Sequence, residues 1–136
     1  MVAFDNIQEK YIRKAALWGE SEITFPLPLT RDDNGGYHLE INENGKMSLI
    51  ATERGNINDK MTTESLDELM YWVFKMRSKA KGLQFEAKNR VETQDFRRLY
   101  FSKSVEEISK IPEDWAKRLQ EEFEEILSEH PFVDDL

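Results

Sequence analysis

The sequence predicts an α+β fold: a small antiparallel β-sheet packed on a predominantly helical C-terminal half. Three observations point there. Alternating apolar residues flank an Asn-Gly turn between residues 37 and 53. A long amphipathic stretch runs from Thr62 to Lys81. Two further stretches after Asp95 repeat their apolar residues at helical steps. With 136 residues, a single domain spanning 1–136 is expected. A chain of this size buries enough surface to fold without a disulfide or a structural metal.

The first element is a helix over 4–18, where Phe4, Ile7, Tyr11, Ala15 and Trp18 recur at three- and four-residue steps and Gly19 supplies a stop. Residues 20–36 are less regular. Ile23-Thr24-Phe25 reads as a short extended segment, so 21–29 is a candidate third or fourth strand, although Pro26 and Pro28 exclude a central one. Asp32-Asp33-Asn34-Gly35-Gly36 reads as a turn. A β-hairpin follows, Tyr37–Ile41 and Met47–Glu53, joined at Asn42-Glu43-Asn44-Gly45. Tyr37, Leu39 and Ile41 alternate with His38 and Glu40, which are expected to face outward. Ile50 falls between Leu49 and Ala51, so the second strand is expected to be buried on both faces. Glu53-Arg54-Gly55 should end it and a polar loop should lead on.

The chain is organised around Thr62–Lys81. Leu66, Leu69, Met70, Val73 and Phe74 fall at i, i+3, i+4, i+7 and i+8, and Leu69–Phe74 is the longest unbroken apolar run. Thr62 or Thr63 is placed to cap the start, with Glu64, Asp67 and Glu68 near the positive end of the dipole. Arg77 projects into the apolar stripe, either snorkelling past its edge or buried against a carboxylate. Residues 83–91 fit both a strand and a helix; the helical stripe Ala80, Leu83, Ala87, Val91 favours a helix continuing to about Asn89, kinked at Gly82. Asp95 then caps a helix over 96–110 with apolar residues on two sides. Pro112 is expected in the first turn of a last helix, where Trp115, Leu119, Phe123, Ile126 and Leu127 form one stripe and Glu121, Glu122, Glu125 and Glu129 the other side. Pro131 ends it.

Charge is unevenly spread. The net −8 divides into 13 acids and 7 bases over 1–74, 3 acids and 9 bases over 75–103, and 11 acids and 3 bases over 104–136. The overall balance argues against non-specific nucleic-acid binding and for a partner with a basic surface. Cysteine is absent, which removes thiol chemistry, disulfides and cysteine–zinc sites. The opening MVAFDNIQEK carries no long apolar core, and no run approaches the ~20 apolar residues of a membrane span. A cytoplasmic protein without membrane association is therefore expected.

Catalytic signatures are missing. The chain has no G-x-S-x-G, H-E-x-x-H, Walker or G-x-G-x-x-G motif. Its two histidines, His38 and His130, are too few for a metal site; His130 suits the end of a helix. No acid pair is placed in environments that would separate two pKa values, as acid–base catalysis requires. No cofactor, metal or catalytic residue is expected. The charged residues beside the core, Glu53, Arg54, Arg77, Arg90, Arg97 and Arg98, read as structural ion-pair candidates.

The motif order carries a resemblance. Glu53-Arg54-Gly55, then Tyr71-Trp72-Val73-Phe74, then Phe85-Glu86 with Arg90, then Asp95-Phe96-Arg97-Arg98 and Phe101, then Trp115, and finally His130-Pro131-Phe132 resemble the immunity protein 63 family of bacterial polymorphic-toxin and contact-dependent inhibition systems. The chain departs from the family pattern at Ser104, in place of a glutamine, and at Phe85, in place of a tyrosine. The resemblance implies a non-enzymatic antitoxin that binds the C-terminal domain of a cognate toxin and blocks its active site or its access to target. The acidic balance suits a nuclease, whose substrate surface is basic. Charge alone nominates Asp32, Asp33, Glu40, Glu43, Glu121, Glu122, Glu125 and Glu129 as toxin contacts. Two other readings compete: an acidic adaptor for an endogenous partner, and a phosphate-ligand binder or small enzyme using the arginine-rich segment 75–103.

Overall fold

A computed structural model describes residues 4–19, 27, 29 and 34–135. Its elements are α1 (Phe4–Trp18), β1 (Asn34–Ile41), β2 (Met47–Glu53), β3 (Asn56–Thr63), α2 (Leu66–Lys88), α3 (Phe96–Ile108) and α4 (Trp115–Glu129). The sheet is antiparallel in the order β1-β2-β3, and the helices dominate the C-terminal half. The fold class is α+β. The chain separates into two compact units, Met1–Met70 and Tyr71–Leu136, with the division falling inside α2.

In the first unit, α1 buries Ile7, Tyr11, Ala15 and Trp18, the residues its spacing aligns, and ends at Gly19 with φ +89°. The sheet is built on β2, whose residues Met47 to Thr52 are all buried. Asn42 shapes the β1–β2 turn: its Oδ1 accepts from the backbone N–H of Asn44 and Lys46, each at 3.0 Å. Asn34, Gly35 and Gly36 belong to β1, with a bulge before Tyr37, and do not form the expected turn. The 21–29 strand candidate lies outside the described residues, apart from 27 and 29.

The third strand comes from a segment read as polar loop. Arg54 and Gly55 have φ of +51° and +82° and close a tight hairpin between Glu53 and Asn56. Positive φ at both central residues matches the right-handed twist of paired strands. β3 then pairs along β2, and Thr62 and Thr63 belong to it. They therefore do not cap α2. Ser65 does: its Oγ accepts the N–H of Glu68 at 3.2 Å, in a Ser-x-x-Glu capping sequence. β3 is almost entirely exposed, an edge strand kept soluble by polar residues and Lys60.

In the second unit, α2 continues unbroken through Gly82 to Lys88. Asp95 caps α3: its side chain accepts the N–H of Arg97 at 3.0 Å. α3 buries Phe101, Ser104, Glu107 and Ile108, while Phe96 is half exposed, so its apolar residues are not enclosed on two sides. α4 begins at Trp115, not at Pro112, because the chain first turns to bury Ile111; the N–H of Glu113 bonds back to the Ile111 carbonyl at 2.8 Å. Trp115, Leu119 and Phe123 form the buried stripe of α4, whereas Ile126 is exposed. Phe101 and Phe123 stack with centroids 3.9 Å apart, and Phe74 stacks on Trp115 at 5.9 Å.

Candidate functional site

The outward side of α4 is the most acidic surface among the described residues that a helix holds in fixed spacing. From Gln120 to Glu129 it carries five glutamates and no base. Glu121, Glu124, Glu125 and Glu129 are exposed. At about 100° per residue they share one side of the helix, opposite Leu119 and Phe123. Glu122 differs. It is half-buried, accepting a hydrogen bond from the Tyr71 hydroxyl and an ion pair from Lys75 Nζ at 3.0 Å. The Arg118 guanidinium covers the Tyr71 ring, 3.9 Å from its centroid. Beside this group, burial and the neighbouring Lys75 charge push the Lys79 pKa down, against the opposing pull of Glu122. Glu122 thus ties α4 to α2 and does not join the solvent-facing row in which the sequence placed it.

The remaining candidate acids lie elsewhere. Glu43 is exposed in the β1–β2 turn. Glu40 is exposed on β1, and its Oε2 meets Nε2 of His38 at 2.5 Å. His38 itself is buried, not outward-facing: it sits in β1 opposite Ile50, the apolar residue that makes β2 bury both faces. Asp32 and Asp33 lie outside the described residues. Among the described residues, no three His, Asp or Glu side chains are grouped to hold a metal ion.

The arginines go to separate partners. Arg90 grips Glu86 through two bonds of 3.0 and 2.8 Å, and its guanidinium holds the Glu86 carboxyl below its usual pKa. Arg97 grips Asp95 through bonds of 3.2 and 2.8 Å and also donates to the carbonyls of His130 and Pro131. Arg98 grips Asp134 and lies over the Phe132 ring, 4.2 Å from its centroid. Glu53 accepts from the Asn58 amide at 3.1 Å, Arg54 occupies the hairpin turn, and Arg77 is half-buried on α2. Arg90, Arg97 and Arg98 therefore each pair with a separate carboxylate, and Arg97 adds two backbone carbonyls.

Asp95 is the most connected of these acids. Besides Arg97 it accepts the N–H of Val133 at 2.9 Å, and its own N–H donates to Asp134 at 2.8 Å. The Arg97 guanidinium, helped by these backbone donors, holds the Asp95 carboxyl far below the usual range. Arg98 does the same, less strongly, for Asp134. Together these bonds lay residues 131–135 against the start of α3, with Phe132 near Phe101. Sequence reading singled out Asp95, Arg97 and Arg98 but not Asp134, nor the exposed Glu124. The signal for Glu124 was its place one turn after Glu121 on the same side of the helix; in the structure it also accepts from Gln120 at 3.3 Å.

Comparison with known proteins adds one decisive match. The family described as immunity protein 63 matches residues 34–125, about two thirds of the chain. The chain belongs to the immunity protein 63 family. The match begins with β1 and ends within α4, so it includes the whole sheet, α2, α3 and most of the acidic row. No curated protein and no solved structure matches the chain. Membership in the immunity protein 63 family supports an immunity function exercised by binding a cognate toxin protein, and such families are generally non-enzymatic. Among the described residues, no helix is long and apolar enough to cross a membrane.

Proposed function

We infer that this immunity protein 63 member acts in the cytoplasm, in a polymorphic-toxin or contact-dependent inhibition system. It binds the C-terminal domain of a nuclease toxin and blocks its active site or its access to nucleic acid. The observation that carries the reading is the row of exposed acids on α4, on a chain of net charge −8 that belongs to an immunity family. A nuclease must present cations to phosphates, and a fixed row of carboxylates competes for the same surface. Such complementarity speeds encounter and selects the partner.

Within this reading, Glu121, Glu125 and Glu129 supply the main contacts, with Glu40, Glu43, Asp32 and Asp33 as a second acidic group. Glu53, Arg54, Arg77, Arg90, Arg97 and Arg98 serve the scaffold, and residues 1–136 work as one immunity-type domain. The test is co-purification with the toxin C-terminal domain encoded beside this chain. It is followed by the dissociation constant across a salt series and a nucleic-acid cleavage assay of the toxin with and without its partner. A tight complex that weakens with salt and abolishes cleavage supports the whole reading. A tight, salt-indifferent complex discards the acidic row. Absence of a complex, with capture of an endogenous protein in its place, would favour the adaptor function.

A further inference from the structure

A hollow of about 260 Å³ opens between α3 and α4. Its floor is the stacked pair Phe101 and Phe123, both buried. Val105, Leu127 and Phe132 form half-buried apolar walls, and exposed Ser102 and Gln120 stand at its mouth. The only charged residue lining it is Arg98, whose charge is met by Asp134. Pockets that enclose small molecules run to ~300–1,000 Å³. This one falls below that range, and suits one large apolar side chain presented by a protein.

The rim gives the occupant's charge. Glu124 lies one turn beyond Gln120 and one turn before Leu127, which sets it on the edge of the hollow, with Glu121 in the next row out. Across the mouth, Glu106 follows Ser102 by one turn of α3 and is exposed, but it pairs with Lys103 at 3.2 Å, so the rim's net negative charge comes from the α4 side. An apolar socket with carboxylates along its α4 edge favours an anchor residue flanked by Lys or Arg, and disfavours one flanked by acids.

We propose that the α3–α4 hollow is the anchor pocket of the interface, receiving an apolar side chain from a basic segment of the toxin domain. This rests on the immunity reading above and names the place and chemistry of its contact. The segment 131–135, held by Asp95, Arg97 and Arg98, supplies the Phe132 wall. The socket is therefore built in advance and needs no rearrangement to accept its ligand.

The test uses the full chain and the C-terminal domain of the toxin encoded beside it. Ser102→Trp and Gln120→Trp close the mouth from its two walls; both positions are exposed, so both variants should fold. Gln84→Trp, at an exposed position of α2 outside the hollow, is the control. Each mouth variant should raise the dissociation constant roughly 30-fold or more, the scale of a lost hot spot, while the control binds as wild type. Glu124→Lys should weaken binding about tenfold at low salt and much less at high salt, as expected for a rim charge. Wild-type affinity in both mouth variants would overturn the pocket and leave the immunity reading standing. Loss of self-association instead of toxin binding, read by light scattering, would make the occupant a second copy of this chain and also overturn it. No complex with wild type would remove both readings together.

Discussion

Gly82 and Ser104 meet where α2 and α3 cross. A methyl group placed on Gly82 would stand 2.3 Å from the Ser104 hydroxyl oxygen and 2.7 Å from the Tyr100 carbonyl oxygen. That hydroxyl donates to the same carbonyl at 2.7 Å, so neither atom is free to move aside cheaply. Helix propensity alone would make Gly82→Ala stabilising by up to ~1 kcal/mol, yet overpacking of this kind costs ~1–3 kcal/mol. Gly82→Ala should therefore lower the urea midpoint. Adding Ser104→Ala should not restore it, because the backbone carbonyl stays in place. A rise in midpoint for the single variant would show that the helices separate easily.

The Asp95 network predicts a particular acid response. Its carboxyl pKa is lowered in the folded protein, first by Arg97 and then by the backbone donors. A lowered carboxylate pKa contributes stability that is complete above the unfolded value, ~3.9, and is lost as pH falls through the folded value. Unfolding free energy should thus decline below about pH 4. Asp134, Glu86 and Asp67 are lowered too, and add to the same limb. Asp95→Asn keeps an N-cap side chain but removes the titrating group. Urea melts from neutral pH down to the acid limb should show a smaller loss for this variant than for wild type. Identical slopes would mean that the Arg97 contact does not persist in solution.

What was legible in the sequence follows from where the signal is local. The periodicity of α1, the strand–turn–strand order of the first hairpin and the Asp95 cap each lie within a few residues, and each reappears in the structure, although His38 turns inward against the expected alternation. The β3 strand was hidden because an edge strand has little to bury: in NINDKMTT only Ile57 and Met61 are apolar, and Ile57 is 60 % exposed. Its turn was hidden as well, since Arg-Gly lacks the Asn-Gly or Asp-Gly signature of a two-residue hairpin. In the candidate site, helical spacing placed Glu121, Glu125 and Glu129 on one side of α4, but it grouped Glu122 with them. It did not reveal that Glu122 meets Tyr71, a partner 51 positions away on another helix.

Arg54 makes the strain of the β2–β3 turn testable. It is the only non-glycine residue with positive φ among the described residues, at +51°. A Cβ in the left-handed region costs roughly 1–2 kcal/mol, less for Asn, whose side chain tolerates it. Arg54→Asn should therefore raise thermal stability by about 0.5–1 kcal/mol without changing toxin affinity. Loss of stability would mean that the Arg54 side chain contributes more than its backbone strain costs.

Charge reversal separates the roles of the α4 acids. Glu121 and Glu125 are exposed, and surface changes of this kind usually stay within ~0.5 kcal/mol. Glu122 bonds Tyr71 and Lys75. Reversing it places a third cation beside Lys75 and Lys79 and strips the Tyr71 hydroxyl of its acceptor, a loss of about 1–3 kcal/mol. Glu121→Lys and Glu125→Lys should therefore melt like wild type while binding the toxin more weakly and with a shallower salt dependence. Glu122→Lys should melt earlier. Any weakening of its toxin binding should disappear when Glu122→Gln, which keeps a Tyr71 acceptor, is measured in its place. If all three reversals lower stability equally, the row is held together by contacts within the fold and not kept free for a partner. If Glu122→Gln weakens binding as much as Glu122→Lys does, the Glu122 carboxylate itself reaches the toxin, and the contact surface extends around α4 toward α2.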